Sequence, residues 1–175
     1  MKKNLKTIHN PMVKFEYDKS LFGKSTNVRI YHDATLITPG VFSDSITMSP
    51  VKYSEDVLST TVNKWHSNYL NINHSRNVLD RIGRVVNPYY SDGRVKGDLY
   101  IFPVTQNARD TIELIDEGLI NWLSVELITE DSWDRNDERY VSDLKYMGVA
   151  VVTEPACSNA KIDESGADFD LPTEV

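Results

Sequence analysis

The chain has 175 residues, 40% hydrophobic and 26% charged, with a formal net charge of −7 and one cysteine, Cys157. That length suits one domain with a sizeable core. No apolar run approaches the roughly 20 residues of a bilayer span, which argues against a membrane helix, and a lone cysteine excludes an internal disulfide and fits a reducing compartment. The basic start at Met1–Lys6 has no apolar segment after it and does not read as a secretory signal.

Charge is unevenly spread. Residues 1–29 carry seven Lys/Arg against two acids, whereas residues 110–175 carry four against seventeen. Phosphate would be repelled by most of the second half, so nucleic-acid binding is not expected. Residues 1–12 read as a loose basic, solvated arm, which could also dock onto an acidic partner.

Taken in chain order, Val28–Ile37 predicts a strand stopped by Pro39–Gly40. Ser54, followed by Glu55 and Asp56, predicts a capped helix running to about Trp65. Tyr69–Ser75 sets Leu70, Ile72 and His74 on one side and Asn71 and Asn73 on the other, as a strand with His74 near its end. Ile82–Tyr90 and Val95–Phe102 are strands joined by a turn containing Asp92–Gly93, a strong hairpin signal. Asn107 caps a helix to about Glu117, with Ile112, Ile115 and Leu119 on its apolar side and Gly118 as the stop. Ile120–Thr129 is a strand, Glu130–Glu138 an acidic loop, and Tyr140–Thr153 a strand ended by Pro155. From Asp163 the chain is acidic and poor in apolar residues, as mobile tails are. Five or six strands with two helices give a β-rich α+β domain, either a barrel or an open sheet.

Few residues could carry chemistry. Metal chemistry has no support, since there is no HExxH, CxxC or paired-histidine helix, and no glycine-rich phosphate loop is present. Cys157, beside small residues, reads as packing. Ser124 lies in Trp122-Leu123-Ser124-Val125-Glu126-Leu127, where strand alternation puts Trp122, Ser124 and Glu126 on one face. A serine hydroxyl needs a neighbouring base, and histidine titrates in the right range. Of His9, His32, His66 and His74, the last has the best setting for that role, between the polar Asn73 and Ser75.

Three segments in order resemble the prohead (capsid maturation) serine proteases of tailed bacteriophages. Leu70-Asn71-Ile72-Asn73-His74-Ser75 with Ile82-Gly83-Arg84-Val85 is similar to their histidine motif. Glu117–Val125 is similar to their serine motif, and Gly148–Ala156 to the strand and Pro-Ala turn that follow. The resemblance spans roughly residues 28–160. It implies a barrel-like antiparallel sheet with flanking helices, distantly related to the herpesvirus assemblins. The expected organisation is a flexible arm at 1–12, a protease domain at 13–162 and an acidic flexible tail at 163–175.

The resemblance further implies a serine endopeptidase that needs no cofactor. It would act inside the assembling procapsid, in the host cytoplasm, on scaffold or major capsid protein segments and on itself, and it could self-associate. Ser124 takes the nucleophile's place and His74 the general base's. Many relatives carry an acid near the position of Gly148, where this chain has none. Glu154 is the favoured third member, with Asp143 and Glu126 as rivals. A non-catalytic assembly protein keeping the protease fold is the alternative reading.

Overall fold

Alternation of buried and exposed side chains is confined to short stretches, such as the first half of the strand at Arg139–Val152, while long parts of the central strands are buried on both faces; together they build a single sheet. The computed structural model describes residues 27–43 and 48–170, so the arm at 1–12 lies outside the described residues. The strands are β1 (Asn27–Ile37), β2 (Gly40–Ser43), β3 (Pro50–Tyr53), β4 (Tyr69–Ile72), β5 (Arg81–Ser91), β6 (Arg94–Ile101), β7 (Trp122–Trp133), β8 (Arg139–Val152) and β9 (Ala167–Asp170). The α-helices among the described residues are α1 (Glu55–Thr60) and α2 (Gln106–Asp116).

The nine strands among the described residues join in the order β2-β3-β8-β4-β5-β6-β1-β9, with β7 paired to β8. Strand β8 is the hub. It pairs with β7 along its length on one side, and on the other meets β3 at Tyr140 and β4 from Gly148 to Val151. Both of those latter pairings are parallel, so the sheet is mixed rather than antiparallel. The crossover from β3 through α1 gives β3 and β4 the same direction, and β8 runs parallel to both. Nor does the sheet close into a barrel. Among the described residues, β1 and β7 are not paired with each other; isolated bridges join Lys161 to Thr35 of β1 and to Trp122 of β7.

Local chemistry explains where the elements differ from expectation. Ser54 caps α1, its Oγ accepting from Val57 N–H at 3.2 Å. The α-helix stops at Thr60 and gives way to a 3-10 turn, Val62–Trp65. Ser59, Thr60 and Thr61 each bond back to a carbonyl one turn earlier, which competes with helix continuation. Trp65, fully buried, then stacks on Tyr146 at 3.9 Å. The cap of α2 is Thr105 rather than Asn107: Thr105 Oγ1 accepts from Ala108 N–H at 3.1 Å, while Asn107 donates to Asp80 at 2.7 Å. Leu119 lies beyond that helix and is exposed.

The hairpin between β5 and β6 turns at Asp92 and Gly93, both with positive φ. Strand β7 continues through Trp133, so most of the expected acidic loop is shortened to a turn. There Asp134 accepts from Asn136 and Glu138 N–H groups. Within the segment read as a tail, β9 lies antiparallel to the start of β1, and Arg29 binds Asp168 at 3.1 Å and Asp116 at 2.8 Å.

Leu36, Leu70, Val85, Leu99, Leu123, Val149 and Val151 fill the core on one face of the sheet. At about 2–5 kcal/mol for truncating such a side chain to alanine, this face fixes the register of β7, β8 and β4. Gly83 has a structural reason: a Cβ there would meet the Tyr100 carbonyl at 1.9 Å, so any side chain would push β5 from β6.

Candidate active site

The face opposite the core presents the polar residues. Ser124 pairs with Ala150, and Ala150 pairs in turn with Asn71; one row along, Glu126 pairs with Gly148 and Gly148 with Tyr69. Directly opposed residues share a face, so Ser124, Glu126 and Asn71 project together, while Leu123 and Val149 point into the core. Strands β7 and β4 are not neighbours and stand about 10 Å apart across β8. Their side chains can meet only over small residues, and β8 supplies Gly148 and Ala150 there.

His74 does not lie in a strand. Strand β4 ends at Ile72, and Ile72-Asn73-His74-Ser75 forms a tight turn in which Ile72 C=O accepts from Ser75 N–H at 2.9 Å. Asn73 and His74 have φ of 50° and 55°, the left-handed values of a type I′ turn. Asparagine and histidine tolerate that region better than most residues, and such strain collects at functional sites. Asn73 N–H donates to Val151 C=O at 2.8 Å and ties the turn to β8.

The turn reverses the expected parity. Alternation would send His74 to the side of Leu70 and Ile72; two left-handed residues swing it to the side of Asn71. Its Nδ1 lies 3.0 Å from Glu126 Oε1, with the two side chains 44% and 25% exposed. Asn71 Nδ2 donates to the other oxygen of the same carboxylate at 3.3 Å.

Two bulges border this arrangement. Between Glu126↔Gly148 and Leu127↔Tyr146, β8 carries the extra residue Met147; between Leu70↔Gly83 and Asn71↔Arg81, β5 carries Ile82. Bulges re-aim side chains locally and are common beside active sites.

The residues singled out from the sequence are placed as follows. His74 and Ser124 come to one face, both reachable from solvent, without a direct hydrogen bond between them. Glu154 is exposed on the turn after β8 and makes no hydrogen bond or ion pair among the described residues. Thus the favoured third carboxylate is not the one at His74; the strand ends at Val152 and carries Glu154 beyond the site. Asp143 is engaged by Lys64 at 3.1 Å, and its carboxyl is held below the usual range by the Leu144 N–H and then by that lysine. Cys157 is buried, with its sulfur 3.5 Å from Thr38 Oγ1. No cluster of ligating side chains among the described residues could hold a metal ion.

Sequence reasoning ranked Glu126 below Glu154. The available signal was its shared face with Ser124; the missing knowledge was that β4 and β7 flank β8. No curated protein matches the chain. The family model of the caudovirus prohead serine proteases matches residues 51–171, a span that includes both His74 and Ser124, and the chain belongs to that family.

Proposed function

We infer that this chain is a serine endopeptidase of prohead maturation in which Ser124 is the nucleophile and His74 its general base. The observation that carries the reading is the shared face of Ser124 and His74, with a carboxylate on the imidazole nitrogen that does not serve the serine. A carboxylate only accepts, so Nδ1 carries the proton and the Nε2 lone pair is free. In acyl transfer, Nε2 takes the hydroxyl proton as Ser124 Oγ attacks the scissile carbonyl. The proton then passes to the leaving amine, and water hydrolyses the acyl-enzyme by the reverse route.

The substrates in this reading are scaffold or major capsid protein segments and the protease itself, cut within the procapsid in the host cytoplasm. Membership of the prohead protease family supports it. The test is expression of wild type, Ser124→Ala and His74→Ala, each with the major capsid protein of the same phage, followed by intact-mass spectrometry. Wild type alone should yield trimmed products; identical intact masses from all three would overturn the reading.

A further inference from the structure

An imidazole acts as a directed base only when something fixes which nitrogen holds its proton and where the ring points. The geometry points to Glu126 as the residue that positions His74, standing on β7 in the space that a side chain at position 148 of β8 would otherwise occupy. This rests on the reading of Ser124 and His74 given above.

Three contacts converge on it. Glu126 Oε1 meets His74 Nδ1 at 3.0 Å. Glu126 Oε2 accepts from Asn71 Nδ2 at 3.3 Å, and Asn71 is itself only 6% exposed, so both carboxylate oxygens are held. The third is steric. A Cβ on Gly148 would lie 2.9 Å from Glu126 Oε2, 2.9 Å from the Tyr69 carbonyl and 3.4 Å from Asn71 Nδ2. The carboxylate therefore lies over the bare backbone of Gly148 on its way from β7 to the turn after β4.

Position 148 is where the family resemblance implies an acid. Here the acid is one strand away, on the residue paired with Gly148. Glycine and glutamate are two halves of one arrangement: the glutamate reaches His74 because its cross-strand partner has no side chain. Asp143 is held by Lys64, and Glu154 is exposed past the end of the strand.

The test uses the full chain and a peptide spanning a cleavage site mapped by mass spectrometry. Glu126→Gln keeps the size of the side chain but offers an amide, and should lower kcat by about 10²- to 10⁴-fold with KM little changed. Glu154→Gln should stay within about twofold of wild type. Nitrogen-15 NMR, with His74 assigned by its loss in His74→Ala, should show neutral His74 as the Nδ1–H tautomer in wild type and not in Glu126→Gln.

Unchanged kcat in Glu126→Gln, or a large loss in Glu154→Gln instead, would overturn the assignment. So would a fall in kcat with the tautomer unaltered. The wild-type spectrum decides even if the variant does not fold, since an Nε2–H tautomer there is incompatible with a Glu126 acceptor. Cleavage that survives Ser124→Ala would instead sink the reading of Ser124 as nucleophile, a distinct outcome.

Discussion

His74 and His32 make the same contact in different surroundings. His74 Nδ1 lies 3.0 Å from Glu126, with side-chain exposures of 44% and 25%; His32 Nδ1 lies 3.2 Å from Asp98, with 18% and 12%. His32 sits at the bulge of β1, and its Nε2 is buried with no hydrogen-bond partner among the described residues. Asp98 also accepts from Asp33 N–H at 3.0 Å, and Asp33 accepts from Tyr89 OH at 2.6 Å. A histidine–carboxylate pair is thus not by itself a catalytic feature. What separates the two is access: at His74 the second nitrogen has an open approach and a serine on the same face, whereas at His32 it is sealed.

The largest expected break in that comparison is between His74→Ala and His32→Gln. The first should abolish cleavage, a loss of at least about 10³-fold in kcat/KM. The second should leave kcat/KM within about threefold of wild type. Equal losses in a quantitative peptide assay would mean that the sealed pair also serves the reaction.

Next is Gly148→Ala. Its methyl would press on the Tyr69 carbonyl and on the Glu126 carboxylate, each at 2.9 Å. Overpacking of this kind costs about 1–3 kcal/mol in stability, read from urea denaturation, and here should also lower kcat by displacing Glu126. Stability and kcat both unchanged would show that the space over β8 is not needed.

A smaller effect is expected from Asn71→Ala, which frees one oxygen of Glu126 while leaving the contact to His74. Loss of one side-chain hydrogen bond of about 1 kcal/mol corresponds to a fall in kcat of roughly fivefold. A loss as large as that of Glu126→Gln would make Asn71 the more important brace.

The smallest effect concerns His32 and pH. The hydrogen bond to Asp98 raises its pKa above the ordinary value of 6.5, against the opposing effect of burial. A raised folded-state pKa means that the pair contributes fully below the unfolded value and loses its contribution as pH rises through the folded one. Chemical denaturation should show the stability gap between wild type and His32→Gln narrowing from pH 5.5 to 8.5. A gap that widens would contradict the charged pair.

Much of the molecule was legible in the chain. The capped start at Ser54, the Asp92–Gly93 hairpin, the stop at Gly118 and the long strands around Ser124 and Gly148 all follow from local rules. Those rules work because capping, positive φ and alternation act over a few residues. The placement of His74 failed for a nearby reason: strand parity was extended two residues past Ile72, into a turn whose left-handed pair reverses it. The helix after Ser54 was overextended because hydroxyl groups bonded back to the backbone, a competition that apolar spacing does not register.

The amino-acid sequence by itself determined the β-rich class, the family and the prominence of His74 and Ser124, since these rest on local pattern and ordered motifs. Tertiary structure alone decided that the sheet is mixed, that β8 separates β4 from β7, and that Glu126 rather than Glu154 meets His74. Glu126 and His74 are 52 residues apart. Whether two such groups touch depends on strand order and register, which are set by burial of Leu70, Leu123 and Val149 on the other face, and on a glycine that leaves room between them.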